Sequence, residues 1–431
     1  MTARPPTDHR YQGVKAETHR RLVGQFDLTA LAAAPPDRVR REARALAASL
    51  ARSADALLSD ADRDRLVDDL MDEVFGLGPL EPLLADPTVT DILVNGPHAV
   101  YVERAGVLTA HPAAFADAEH LLRVIQRLAA RVGRRVDTAS PMVDARLPDG
   151  SRVNAVIPPL ALDGPVLSVR RFGTRFAPAD LVANGTLPPA VLAVLRAAVT
   201  GRVSLLVSGG TGSGKTTLLN ALSAFIPATE RLVTVEDTAE LRLRQPHVVR
   251  LETRPANAEG VGEVRPRELV RNALRMRPDR ILVGECRGPE ALDMLQAMNT
   301  GHEGSLTTVH ANTPRDALAR LEVMVATAGL DLPLPVVRRS ITSAVRLVVQ
   351  TARLAGGPRR VVAVAEVAGV RRGRYAVRTI FRFKQTGLTD GVAVGHFEAT
   401  GRVPRFLTRL AAAGIDLPRD LFTKGLVPRA D

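Results

Sequence analysis

A glycine-rich stretch over residues 209–217 carries the clearest chemistry in the sequence. It reads Gly-Gly-Thr-Gly-Ser-Gly-Lys-Thr-Thr and fits the pattern G-x-x-x-x-G-K-T. Glycines lack a Cβ atom, so successive backbone N–H groups can turn toward one anion at the start of a helix. Lys215 would reach the β- and γ-phosphates of ATP, and the hydroxyl of Thr216 would hold Mg²⁺. The predicted nucleotide-binding residues are Gly209, Gly210, Thr211, Gly212, Ser213, Gly214, Lys215, Thr216 and Thr217.

Three carboxylates are the candidates for the hydrolytic step, which needs an oriented water, a metal ion and charge stabilisation. Glu285 follows the apolar run 280–283 and is predicted to orient or deprotonate water. At the position of Gly284, many ATPases that contain a glycine-rich loop of this pattern have an aspartate that helps to hold Mg²⁺. Glu236 and Asp237 follow another apolar run, and Glu236 and Glu285 are candidates to hold the metal through water. The alternative for these acids is a helix start that negative charge stabilises.

Two histidines, His302 and His310, lie close together in the sequence. An imidazole at the end of a strand could hydrogen-bond the γ-phosphate or the attacking water and so report whether ATP or ADP is bound. A metal pair and a purely structural role are the alternatives. The single cysteine, Cys286, excludes an internal disulfide and a four-cysteine zinc site.

The order of the predicted elements indicates how the chain positions these groups. Apolar runs alternate with helical spacing after residue 190, which predicts an α/β domain with a mostly parallel, doubly wound sheet and the nucleotide at the carboxyl ends of its strands. Shorter strands and one helix before it predict a smaller α+β domain. The predicted segments are a flexible arm and helical extension over 1–74, the α+β domain over 75–173, a linker over 174–189, the ATPase domain over 190–400 and a C-terminal tail over 401–431.

The amino-acid composition limits which classes of partner the chain is expected to bind. The net charge of +12 favours an anionic partner, which nucleotide, membrane lipid and nucleic acid all satisfy. Aromatic residues make up only 3% of the chain, which disfavours binding of single-stranded nucleic acid by base stacking. Residues 351–384 contain nine Lys or Arg and one acidic residue, which indicates either a solvated face or a surface for anionic lipid or a partner protein. The sequence contains no apolar run long enough to span a bilayer.

Several ordered motifs resemble those of secretion ATPases of the type II/type IV superfamily, most closely the CpaF-type ATPases of Tad/Flp pilus systems. Together they extend over about residues 75–330. Besides the glycine-rich stretch, the motifs are Gly76-Leu-Gly-Pro-Leu, Pro141-Met-Val-Asp-Ala-Arg-Leu-Pro-Asp-Gly-Ser-Arg, Val235-Glu-Asp-Thr-Ala-Glu-Leu, Arg277-Pro-Asp-Arg-Ile-Leu-Val-Gly-Glu-Cys-Arg-Gly and the run from Gln296 to Asn312.

This resemblance implies a cytoplasmic homohexamer that associates with the inner membrane through a platform protein. A PAS-like amino-terminal domain would stack on a RecA-like motor domain, and ATP hydrolysis would power pilus assembly or protein secretion. In relatives, arginines of the amino-terminal domain complete the nucleotide site. Arg152 and Arg170 match them best, with Arg146 and Arg171 next. The alternative function is a RecA-like ATPase that depends on nucleic acid.

Overall fold

The computed structural model describes residues 9–25, 35–54, 58–104, 106–171, 176–254, 256 and 261–428. These residues form two compact units, one within residues 1–174 and the other within residues 175–431. The elements of the first unit are α1 (His9–Gly24), α2 (Pro36–Ala54), α3 (Asp60–Phe75), α4 (Glu81–Ala85), β1 (Val89–Asn95), β2 (Val100–Arg104), β3 (Val107–His111), α5 (Ala118–Arg131), β4 (Met142–Arg146), β5 (Arg152–Val156) and β6 (Val166–Arg170).

The first unit begins with a cluster of three helices. The sequence predicted a flexible arm at its start, of which residues 1–8 lie outside the described residues. From His9 to Gly24 the chain forms the helix α1, in which Tyr11 and Leu22 are buried and the Tyr11 hydroxyl donates to Asp69 at 3.0 Å. A separate helix, α3, begins at Asp60, where the Ser59 side chain accepts from the Asp62 N–H and forms a capping box. The predicted extension is therefore made of several helices rather than an arm and one helix.

A buried carboxylate ties the helices to the sheet of the same unit. Glu73 of α3 contacts Lys15 of α1 and His120 of α5, each at 2.8 Å. Burial raises the pKa of the Glu73 carboxyl, but the hydrogen bonds from His120 and Lys15 outweigh burial and lower that pKa to about 2. Gly78, at φ +58°, leaves room for this carboxylate, because a Cβ atom there would lie 2.7 Å from Glu73 Oε2.

The sheet of the first unit is antiparallel, with the order β3-β2-β1-β6-β5-β4. The buried residues of its strands pack against α5, whose apolar positions Leu121, Val124, Ile125 and Leu128 are fully buried. Strand β3 lies at one edge of this sheet. That edge strand leaves Val107 and Leu108 about half exposed, so it lacks the alternation that marks a half-buried strand.

The second unit contains a single ten-stranded sheet with the order β16-β15-β14-β13-β12-β7-β11-β10-β8-β9. Its elements are α6 (Pro178–Ala183), α7 (Pro189–Thr200), β7 (Leu205–Gly209), α8 (Lys215–Ser223), β8 (Leu232–Glu236), β9 (Val248–Glu252), α9 (Pro266–Ala273), β10 (Arg280–Val283), α10 (Glu290–Asn299), β11 (Leu306–His310), α11 (Pro314–Ala326), α12 (Leu334–Ala344), β12 (Leu347–Arg353), β13 (Arg359–Arg371), β14 (Arg374–Thr389), β15 (Val392–Ala399), α13 (Leu407–Ala412) and β16 (Gly425–Val427).

The six strands from β12 to β9 in that order are parallel, and the chain covers both of their faces, as a doubly wound sheet requires. Alternate residues of one strand enter different cores: Leu205 and Val207 pack in one core with α7 and α8, whereas Leu206 packs in the other with α10, α11 and α12. Burial on both faces explains why these strands are continuous apolar runs in the sequence.

The remaining strands, from β13 to β16, are antiparallel and extend the same sheet beyond β12. The predicted parallel sheet is therefore present in six of the ten strands, and the four antiparallel strands make the whole sheet mixed. Residues 401–431, predicted as a tail, include α13 and β16, and Leu410 and Phe422 of this region are buried in the core. Among the described residues, no helix combines the length and the apolar character needed to cross a membrane.

One fully buried ion pair lies at the amino ends of the parallel strands. Arg280, at 0% exposure, donates from Nε to Glu230 at 2.6 Å and from Nη2 to the other oxygen at 2.9 Å. The same guanidinium also donates to the carbonyl oxygen of Val199 at 2.6 Å. It therefore joins the loop before β8 to the end of α7. This ion pair lies at the amino ends of the strands, and the glycine-rich loop lies at their carboxyl ends.

Candidate functional site

The glycine-rich loop leaves the carboxyl end of β7 and leads directly into α8. Gly212 and Gly214 have φ angles of +68° and +91°, in the left-handed region that glycine tolerates best. Gly209 has no space for a side chain, because a Cβ atom would lie 2.4 Å from both Ser213 Oγ and Thr351 Oγ1. The loop thus presents backbone N–H groups at the amino end of a helix, which is the geometry that binds a phosphate.

Lys215, His310 and Glu285 lie next to one another in the structure. Lys215 is almost fully buried, and its Nζ donates to the Gly210 carbonyl at 3.0 Å and lies 3.3 Å from His310 Nε2. His310 Nε2 in turn lies 3.0 Å from Glu285 Oε1. Burial and the charge of Lys215 lower the pKa of His310, and Glu285 opposes them. The imidazole of His310 therefore lies between the lysine and the carboxylate.

Arg287 also contacts Glu285, and sequence reasoning did not select it. Its Nε and Nη2 both donate to Glu285 Oε2, at 2.9 and 2.7 Å, and its Nη1 lies 3.5 Å from Asp237 Oδ2. A fork of two donors onto one carboxylate fixes the direction of that side chain. The only signal in the sequence was a basic residue two positions after Glu285.

Glu236 occupies the space that a side chain at position 284 would need. A Cβ atom on Gly284 would lie 2.9 Å from Glu236 Cγ. Glu236 Oε2 accepts the N–H groups of Glu240 and Leu241, at 2.7 and 2.8 Å, and burial raises its pKa to about 7 against those hydrogen bonds. Glu236 Oε1 is buried and has no hydrogen-bond partner among the described residues. The strand β8 thus supplies an acid where the neighbouring strand β10 has none.

His302 does not join these residues within this unit. It precedes β11 at its amino end, whereas His310 ends the strand and pairs with Gly209. The His302 carbonyl accepts from the Ser305 hydroxyl at 2.8 Å in the turn that leads into β11. The two histidines therefore lie at opposite ends of β11, separated by the length of that strand.

The predicted arginines lie in a row across the sheet of the first unit. Arg146 pairs with Arg152, and Arg152 pairs with Arg170, on three adjacent strands. Directly opposed like charges destabilise a sheet, and the row is partly compensated, because Arg170 Nε lies 3.9 Å from Asp91 Oδ1 on the next strand. Arg171 has a different environment, because its guanidinium donates to the carbonyl oxygens of Asp86 and Val89 and so holds the start of β1.

The donor set fits a nucleotide with a divalent cation. The loop offers N–H groups and the Lys215 ammonium to phosphate, while the hydroxyl of Thr216 lies in the first turn of α8. The unpartnered oxygen of Glu236 and the carboxylate of Glu285 are oxygen ligands of the kind that Mg²⁺ takes directly or through water. When bound, the metal would neutralise charge on the phosphate oxygens.

Comparison with known proteins places this site in a family. A family model described as type II/IV secretion system protein matches residues 73–373. A Mycobacterium tuberculosis relative that carries a conjugal-transfer name is 44% identical over 337 residues, which cover 76% of this chain and 94% of the relative. The conjugal transfer protein TrbB of Rhizobium radiobacter is 38% identical over 299 residues, covering 68% of this chain and 88% of TrbB.

Among solved structures, the VirB11 ATPase from the Brucella suis type IV secretion system is 33% identical, covers 67% of this chain and 95% of its own, and superposes with a TM-score of 0.37. The family model covers well over half of the chain, and both relatives align over most of their own length. This chain therefore belongs to the type II/IV secretion system protein family, and it is a P-loop ATPase.

Proposed function

We propose that this chain is a ring-forming motor whose ATP hydrolysis drives type IV secretion, conjugal transfer or the assembly of a Tad-type pilus, as CpaF-type ATPases do. The observation that carries the proposal is the linked group of Lys215, His310, Glu285 and Arg287 beside the phosphate loop. The names of the relatives favour conjugation and type IV secretion, and the motifs of the sequence favour the pilus.

In this proposal the second unit is a RecA-like motor domain and the first is the smaller, PAS-like domain that precedes it. The phosphate loop and Lys215 bind ATP, and Thr216 holds Mg²⁺ with Glu236 and Glu285 acting through water. Glu285 orients the attacking water and accepts its proton, since its two oxygens retain lone pairs beside Arg287 and His310. His310 and Asp237 respond to the state of the γ-phosphate, whereas His302, before the amino end of β11, is given no role in this step.

The arginine row Arg146, Arg152 and Arg170 would bring positive charge to the nucleotide when domains or neighbouring subunits close. We expect the full chain to form a hexamer, and we expect the double variant Arg152→Gln/Arg170→Gln to lose about 10²-fold or more in ATPase activity. The measurements are the particle mass with and without a non-hydrolysable ATP analogue, and steady-state hydrolysis. A fully active double variant, or a monomer under both conditions, would contradict the ring.

The partners proposed are a platform protein of the inner membrane and the anionic membrane surface beside it, which would place a cytoplasmic enzyme at the membrane. Several arginines of residues 351–384 already have structural contacts: Arg378 and Arg382 pair with Glu366 and Glu398. Three exposed arginines, Arg371, Arg372 and Arg374, lie together at the turn between β13 and β14.

We expect charge reversal of these three arginines to Glu to abolish co-sedimentation with vesicles of anionic lipid and to leave ATPase activity intact, because the attraction of a basic cluster depends on surface charge. Arg382→Glu is the control, since that arginine is engaged by Glu398. Equal vesicle binding by wild type and triple variant would remove the membrane from the list of partners.

The second candidate function is an ATPase that depends on nucleic acid, which the net charge of +12 favours. Its signature would be stimulation of hydrolysis by DNA or RNA, with binding that weakens steeply as salt rises. Hydrolysis that is insensitive to both nucleic acids would leave the secretion motor.

A further inference from the structure

The phosphate loop is supported from a part of the chain that the motifs do not include, the hairpin formed by β12 and β13. Strand β12 lies beside β7 in parallel, and Thr351 pairs with Gly209, the first residue of the loop. The Thr351 hydroxyl lies 2.9 Å from Ser213 Oγ and 3.1 Å from the Ser208 carbonyl oxygen. Ser213 Oγ in turn donates to the Gly210 carbonyl at 2.8 Å.

Both hydroxyl groups of this contact are buried, with Thr351 at 2% and Ser213 at 3% exposure. Buried hydroxyl groups need hydrogen-bond partners, and here each finds them on the loop or on the strand that leads into it. The turn from Gly209 to Ser213 is therefore held against β12 rather than left to its own backbone preferences.

The second contact comes from the first residue of β13. Arg359 Nε donates to the Gly212 carbonyl oxygen at 2.9 Å. Its Cδ lies 3.5 Å from the position that a Cβ atom of Gly214 would occupy, and Nη1 of Arg353, which pairs with Arg359 across the hairpin, lies 3.9 Å from the corresponding position of Gly212. Arg359 thus lies across the part of the loop that contains both left-handed glycines.

This contact has a direct bearing on anion binding. A phosphate loop binds when its N–H groups point inward, and its carbonyl groups must then point outward, where each needs a partner or water. A guanidinium that donates to the outward carbonyl of Gly212 favours this conformation over others that flexible glycines allow. A hydrogen bond from a charged donor is stronger than a neutral one and adds positive charge beside the anion.

We propose that Arg359 is a positioning residue that, together with Thr351, keeps the phosphate loop in its anion-binding conformation, so that nucleotide affinity depends on the β12–β13 hairpin. The inference rests on nucleotide binding at Lys215 and is independent of the motor, the ring and their partners. Residues 351 and 359 lie well over a hundred positions after the loop, so no local motif of the loop contains them.

The test is equilibrium binding of fluorescent ADP, and of pyrophosphate by competition, to the full chain carrying Arg359→Met. We expect affinity for both to fall about tenfold, since a hydrogen bond from a charged group is lost and the loop must be ordered on binding. The loss should persist at high salt, where a purely long-range charge effect would be screened. Arg359→Lys, which retains a donor, should recover part of the affinity, and Thr351→Val should weaken binding in the same direction.

Amide hydrogen exchange of residues 210–214 without nucleotide supplies the readout that separates loop positioning from fold stability. We expect faster exchange in Arg359→Met with an unchanged melting temperature. The control is Arg371→Met at the far end of the same strand, which should match wild type in both measurements. Affinity within twofold of wild type in Arg359→Met, unchanged exchange, or an equal loss in Arg371→Met would overturn the proposal, whereas an inactive ring with normal ADP binding would count only against the motor.

Discussion

Glu285→Gln is expected to lower kcat for ATP hydrolysis by about 10²-fold or more while ADP still binds. The amide has the size of the carboxylate but cannot accept a proton from water, and general-base catalysis contributes effects of that order. The amide oxygen can still accept from Nε and Nη2 of Arg287, which now donate to Glu285 Oε2 at 2.9 and 2.7 Å, so the variant should keep the position of the side chain. Steady-state hydrolysis and ADP binding on the same preparation measure the two expectations.

The control for this experiment is Asp331→Asn, an exposed acid in the connection between α11 and α12. It removes the same charge from the chain at a distance from the loop, so hydrolysis should remain at the wild-type rate. If Glu285→Gln retained more than about a tenth of the wild-type kcat, the assignment of Glu285 as the residue that activates water would fail.

The largest expected loss of stability comes from Glu230→Gln, which should lower the free energy of unfolding by about 3–5 kcal/mol. The substitution leaves the Arg280 guanidinium, which is 0% exposed, in the interior without its counter-charge. Denaturant unfolding followed by circular dichroism measures the loss, provided that unfolding of the second unit is resolved from that of the first.

Two further variants separate the burial of the charge from the loss of an ordinary ion pair. Glu398→Gln removes a carboxylate that pairs with the exposed Arg382, so it should cost far less. The double variant Glu230→Leu/Arg280→Met removes both charges and should recover much of the stability, because well-packed apolar residues can replace a buried pair. Equal losses in Glu230→Gln and Glu398→Gln would refute the argument from burial.

Sequence reasoning was most effective where a short stretch contains its own structural context. The loop at Lys215 is flanked by an apolar strand and a helical pattern, and both are present in the structure as β7 and α8. Glu236 and Glu285 follow apolar runs that form neighbouring parallel strands. Because parallel strands bring their carboxyl ends to one edge, the pattern was sufficient to predict that these acids lie together.

The residues that sequence reasoning missed depend on pairing between distant segments. Thr351 contacts the loop only because β12 lies beside β7, and nothing around residue 351 indicates which strand will be its neighbour. The same holds for Glu230 and Arg280, which are joined by a fold rather than by a motif. Strand β16 was predicted as part of a tail because three residues carry too little pattern to identify a strand.

The separation of His302 from His310 shows a different kind of limit. Because they are close in sequence, both histidines were predicted to belong to one group. The five-residue strand β11 instead places them at its opposite ends. A strand rises about 3.3 Å per residue, so even a short one is sufficient to take a residue out of reach of a nucleotide.

The close contact between Gly284 and Glu236 ties two positions on neighbouring strands to each other. Any larger residue at 284 would collide with the Glu236 side chain. A shorter residue at 236 would leave a void where the Glu236 carboxylate, with its unpartnered oxygen, now lies. Moving the acid from β8 to β10 would therefore require substitutions at 236 and 284 together, because each single substitution would pack less well than either the present pair or the exchanged pair.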